Sequence, residues 1–200
     1  YTPDTFVKDY LGQTPLHKAA QSGNDKNIKE LIAAGSNIEC QDSKGRRPLH
    51  FAAVDGNQKS VGCLLNHGAD INAQDNKGST PLHFAANLSL KSSVIRELIA
   101  SGADLDLRDN FGRTPLHLAA STKRASILKA LLESGVEVDL VDNKGKTALH
   151  YAAIHGSETA IKMLLAFGAW FKPKDIDGNT PKFYAQINKE LNKLEILDML

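Results

Sequence analysis

Apolar triplets spaced i, i+3, i+4 recur along the chain: Ile28/Leu31/Ile32, Val61/Leu64/Leu65, Ile95/Leu98/Ile99, Leu128/Leu131/Leu132 and Ile161/Leu164/Leu165. That spacing puts three side chains on one face of an amphipathic helix. A Gly ends each stretch, at Gly35, Gly68, Gly102, Gly135 and Gly168, where a left-handed C-cap residue belongs. A second helix is predicted ahead of each triplet. It opens on Thr-Pro, as at Thr14-Pro15 and Thr114-Pro115, with Thr as N-cap and Pro at the first helical position. It carries paired alanines (Ala19/Ala20, Ala52/Ala53, Ala85/Ala86, Ala119/Ala120, Ala152/Ala153) that let neighbouring helices approach closely. Asp-x-x-Gly precedes it each time, a turn signal in which Asp bonds its own backbone and Gly supplies positive φ.

The whole pattern repeats. Thr14-Pro15-Leu16-His17 returns as Arg47-Pro48-Leu49-His50, at Thr80 to His83, at Thr114 to His117 and as Thr147-Ala148-Leu149-His150. A worn sixth copy is Thr180-Pro181-Lys182-Phe183, and the intervals are 33, 33, 34, 33 and 33 residues. The turns start at Asp9, Asp42, Asp75, Asp109, Asp142 and Asp175. With this motif the chain resembles the ankyrin-repeat family over nearly its whole length. The resemblance implies an all-α solenoid of helix-turn-helix units carrying β-turn/hairpin fingers. Units this small bury their apolar faces only by stacking. The repeats are read at 9–41, 42–74, 75–108, 109–141, 142–174 and 175–200 of a single 1–200 domain, with 1–8 a cap or the end of a preceding unit. The start at Tyr1 and the end at Met199-Leu200 suggest a piece of a longer chain.

Departures from the pattern carry individual information. Arg47 replaces an N-cap Thr. The third repeat holds one extra residue within Asn87–Ser93 and lacks the inter-helix Gly seen at Gly23, Gly56 and Gly156. Leu88 or Leu90 either tucks back into the stack there or stands out as an apolar bump. Phe171 occupies an apolar slot and is expected in the core. Trp170 occupies a normally polar slot and is either a cap residue or a binding anchor. In the last repeat Ile187, Leu191, Leu194, Ile196 and Leu197 form an irregular stripe, broken by Asp198, which marks either a capping repeat or an interrupted one.

Composition adds little that is unusual: 42% hydrophobic, 24% charged and only 6% aromatic, which predicts an aliphatic core. The net charge of +1 argues against binding nucleic acid through bulk charge. Cys40 and Cys63 cannot build a disulfide framework and read as reduced thiols. No apolar run approaches the length of a membrane span. His17, His50, His83, His117 and His150 share one motif slot, so stacking cannot bring them into a single metal shell; the family resemblance makes them structural. No nucleophile–base set or phosphate loop is recognisable, so no catalytic residue, metal or cofactor is expected.

The resemblance implies a protein–protein interaction module, a scaffold or adaptor, binding through fingers and inner helices on the concave face. The finger slots offer Lys44, Arg46, Lys77, Phe111, Arg113, Lys144 and Lys146, with Arg108 and Lys174 beside the row. These residues and Trp170 are the candidate partner-binding set. The row is a basic stripe suited to an acidic segment of a partner protein, and Phe111 with Arg113 is its expected hot spot. Leu64, Asp70 and Asn72 also match the spacing of an asparaginyl hydroxylase site found in many animal members of the family, so Asn72 is either a modification site or a hairpin residue. The expected molecule is a monomer, without membrane insertion, in the cytoplasm or nucleus. The alternative is a targeting or regulatory arm of a larger enzyme or channel, or a secreted microbial effector acting in a host cytosol.

Overall fold

The computed structural model describes residues 7–89, 91–191 and 195–200. They form two compact units, 1–104 and 105–200. Helices come in pairs. The first unit holds α1 (Pro15–Ser22) with α2 (Asp25–Ala33), α3 (Pro48–Val54) with α4 (Gln58–Asn66), and α5 (Pro81–Leu88) with α6 (Ser92–Ala100). The second holds α7 (Pro115–Ala120) with α8 (Ala125–Leu132), α9 (Ala148–Ile154) with α10 (Glu158–Ala166), and α11 (Pro181–Ile187), followed by a 3₁₀ turn at Glu195–Asp198. No strand occurs among the described residues, so the fingers are turns.

Each inner helix begins the way its sequence demands. Thr14, Thr80, Thr114 and Thr147 hold extended backbone at the N-cap, and Pro follows all but Thr147, where Ala148 stands. The backbone N–H of each Thr donates to the Nδ1 of the His three residues on, at 3.0 to 3.2 Å. The outer helices use the residue after the inter-helix Gly: Asn24, Asn57 and Ser157 accept from the N–H three residues ahead. Such caps contribute about 1 kcal/mol each.

Packing follows the repeat. In the first unit α1 lies on α3 and α3 on α5, while α2 lies on α4 and α4 on α6; in the second α7 lies on α9, α9 on α11 and α8 on α10. The leading pairs of the triplets, such as Ile28/Leu31, Val61/Leu64 and Leu128/Leu131, are buried, as are all ten paired alanines. Burying one such aliphatic side chain contributes roughly 1.5–3 kcal/mol.

The irregular segments resolve individually. In the third repeat α5 runs on through Leu88, and buried Ser89 turns the chain with extended backbone. Leu88 stands out 47% exposed, while Leu90 lies outside the described residues. Phe171 is not in the core as expected: it is 41% exposed. Its counterparts Ile38, Ile71, Leu105 and Val138 are half-buried. In the last repeat Leu191, Ile196 and Leu200 are buried, whereas Ile187 and Asp198 face solvent; Leu194 lies outside the described residues. Asn188 closes that end by donating from Nδ2 to the carbonyls of Ala153 and Ile154, at 3.3 and 2.9 Å.

Candidate functional site

Every finger is built round its Asp. In Asp42, Oδ1 accepts from the N–H groups of Lys44 and Arg46 at 2.8 and 2.9 Å. The same pair of bonds recurs at Asp9, Asp75, Asp109, Asp142 and Asp175. Neighbouring tips are tied by backbone bonds of 3.0 Å. In the first unit Ser43 N–H donates to Leu11 O and Asn76 N–H to Lys44 O; in the second Asn143 N–H donates to Phe111 O and Ile176 N–H to Lys144 O. This approach requires Gly. At Gly112, with φ +77°, an added Cβ would sit 2.6 Å from the Asn143 nitrogen.

The stems carry a second ladder that the sequence reading missed. Oxygens of Glu39 and Asn72 accept from the backbone N–H groups of Asp70 and Asp104, at 2.9 and 3.0 Å. In the second unit Asp106 and Asp139 accept from Glu137 and Trp170, at 3.3 and 3.0 Å. The signal was present: this slot holds an acceptor side chain in four repeats, and a donor, Lys172, in the fifth. Asn72 thus has a structural role in the hairpin. The Arg47 guanidinium ties Glu39 to Asp70 at 2.5 and 3.2 Å, bridging two repeats where a cap was lost.

The candidate cations divide into two groups. Lys44, Lys77 and Lys144 are exposed at the tips. Arg46 and Arg113 turn inward: each guanidinium reaches Oδ2 of its own finger Asp, Asp42 or Asp109, at 2.7 Å. They also cover rings, Arg46 over Phe51 at 4.5 Å and Arg113 over Phe111 at 4.8 Å. Lys146 is held between buried Asp175 and the Tyr184 hydroxyl. Burial alone would raise the Asp42 and Asp175 carboxyls. Arg46 and its own backbone N–H more than offset this at Asp42; Lys146 and Tyr184 bring Asp175 down to about 2. Three cations expected in the basic row are thereby neutralised within the protein. Phe111 is 53% exposed and Trp170 57% exposed. Arg108 reaches back to the Val141 carbonyl at 2.5 Å, and Lys174 is exposed.

The motif histidines are buried. Nε2 of His17, His50, His117 and His150 faces the carbonyl of Arg46, Ser79, Lys146 and Asn179, at 2.9 to 3.2 Å. A carbonyl only accepts, so Nε2 carries the proton and Nδ1 accepts from the cap. Desolvation holds all four below the usual histidine range, His50 at about 4. A ring from the next repeat stands edge-on to each: Phe51, Phe84, Tyr151 and Tyr184, at 5.1 to 6.0 Å. Among the described residues no group of His, Cys, Asp and Glu is arranged to hold a metal ion. Cys40 and Cys63 are free thiols, pushed up by burial. No helix of the described residues is long and apolar enough to cross a membrane.

A family model described as ankyrin repeats (3 copies) matches residues 2–75, 56–142, 82–179 and 125–200. The chain belongs to the ankyrin-repeat family. Ankyrin repeats generally serve as protein–protein interaction modules and are typically non-catalytic. No curated protein matches the chain significantly.

Proposed function

We propose that these ankyrin repeats dock a partner protein through finger tips and inner helices, without chemistry of their own. The observation carrying this reading is the tip lattice. Backbone bonds tie the fingers within each unit, while Lys44 and Lys77 in one unit and Phe111 and Lys144 in the other remain exposed. Ordering of loops at an interface costs affinity, and tips tied in advance avoid much of that cost. Phe111 is the apolar anchor, with Arg113 stacked against it rather than reaching out. The lysines favour an acidic segment on the partner. Trp170 is a second anchor at the stem. The module acts as a monomer in an intracellular compartment.

The test is affinity capture from source-cell lysate with the wild type beside a Lys44→Ala, Lys77→Ala, Phe111→Ala, Lys144→Ala variant. The three lysine side chains lie outside the Asp42, Asp109 and Asp175 networks, Phe111 touches them only through its stack with Arg113, and an unchanged melting temperature checks that the variant keeps its fold. The reading expects a partner retained by the wild type, lost by the variant and weakened by added salt. Equal, salt-independent retention by both overturns it.

A further inference from the structure

A cleft of about 120 Å³ opens in the first unit at the C-terminal ends of the inner helices. Phe51, Val54 and Phe84 line it, with Leu88, Asp55 and Arg46 around them. Two features set it apart. The first is Leu88. The same slot holds Ser22, Asp55, Thr122, His155 and Asn188 in the other repeats. The one-residue insertion prolongs α5 through Leu88 and leaves that side chain 47% exposed at the cleft. The second is Asp55. It is exposed at the cleft mouth, partial desolvation raises its pKa, and among the described residues no cation lies within ion-pair distance of it. Arg46 lines the same cleft, but its guanidinium is bound to Asp42 at 2.7 and 2.8 Å. The cleft therefore sets an apolar wall of Phe51, Val54, Phe84 and Leu88 beside one carboxylate without an ion-pair partner, with Gln21 and His50 completing the lining.

We propose that this cleft takes a partner segment in which Lys or Arg is flanked by an aliphatic side chain. The aliphatic group covers Phe84 and Leu88, and the cation reaches Asp55. The inference rests on the reading that a partner docks on the inner helices, and it names the chemistry of one part of that partner. The cleft and the finger lysines require opposite charges, so a single partner spanning both presents a basic-apolar segment to the helices and an acidic one to the tips. That polarity fixes the direction in which it lies.

The test titrates the full 200-residue chain, isotope-labelled for NMR, with acetyl-Leu-Arg-Leu-amide. Its citrulline counterpart keeps the shape and loses the charge. The arginine peptide is expected to shift the amides of Val54, Asp55 and Leu88, and to bind about fivefold more tightly than the citrulline peptide, as a partly exposed ion pair allows. Asp55→Asn removes that preference, and Leu88→Ser weakens both peptides. Unchanged melting temperatures distinguish a lost site from a lost fold. Equal binding of the two peptides, an equal response to acetyl-Leu-Glu-Leu-amide, or shifts mapping away from α3 and α5 overturns the inference. If partner capture depends on the finger tips while these peptides fail, the cleft inference falls and the docking reading stands. If capture ignores the tips and Leu88 alike, the docking reading itself falls.

Discussion

Protonation of the buried histidines is the residue-level change to which this fold is most exposed. Each Nδ1 accepts from a cap N–H, so a proton added there replaces a hydrogen bond with a clash of donors. The folded pKa lies below the ordinary value of 6.5, so the unfolded chain takes up protons first. The stabilisation is complete above about pH 6.5 and is lost as pH falls towards the folded pKa. For His50, held at about 4, the difference from 6.5 corresponds to about 3 kcal/mol. Urea denaturation between about pH 7 and about pH 5 should show stability falling steeply, and His50→Gln should flatten the slope. A pH-independent midpoint across that window would contradict the assigned tautomers. The histidine role was legible as a family trait. The rings standing against it were not read from the sequence, because the slot that holds Phe51, Phe84, Tyr151 and Tyr184 holds Lys18 and Leu118 in other repeats. Arg46 and Arg113 were misplaced because a slot says where a side chain starts, not where it ends. Their Asp partners lie four residues back, near enough to have been suspected. The partner of Lys146 lies 29 residues away and could be seen only once the repeats were stacked.

Within an element, period and punctuation decided nearly everything. Triplet spacing, Thr-Pro starts and terminal glycines placed the helices because each reflects a local constraint: one buried face, one cap, one positive φ. Leu131 is fully buried in α8, so Leu131→Ala should cost about 2–5 kcal/mol, read from denaturant unfolding; a change below roughly half a kcal/mol would misplace the register. Gly112→Ala should cost about 1–3 kcal/mol, because a Cβ there meets the Asn143 backbone nitrogen as well as its side chain, and φ is +77°. A neutral outcome would mean that the tips are not tied. Phe171 was misjudged for a reason at this scale. Its counterparts Ile38, Ile71, Leu105 and Val138 are themselves only half-buried, so an apolar residue in this slot does not reach the core.

At the scale of the molecule, most of the long-range bonds among the described residues link neighbouring repeats, and a contact within the second unit skips a repeat. Lys123 pairs with Glu190 at 2.6 Å across the turn of the fifth repeat. An added Cβ at Gly156 in that turn would lie 2.8 Å from Glu190 Oε2. The repeats carry no constellation for metal among the described residues, and chelators should leave thermal unfolding unchanged; a clear fall in Tm would restore a metal role for the histidines. Fold class was readable from recurrence alone, since a period of 33 residues admits few architectures. The proposed docking surface was only half readable. Which cations stay exposed depends on side-chain direction, and the cleft at Leu88 depends on how one inserted residue is absorbed.

The most direct measurement is lysine acylation footprinting of the chain, free and bound to its captured partner. The account predicts that Lys44, Lys77 and Lys144 become protected, while Lys26, Lys59 and Lys129 on the outer helices stay reactive. Protection of the outer-helix lysines with unchanged tips would contradict it.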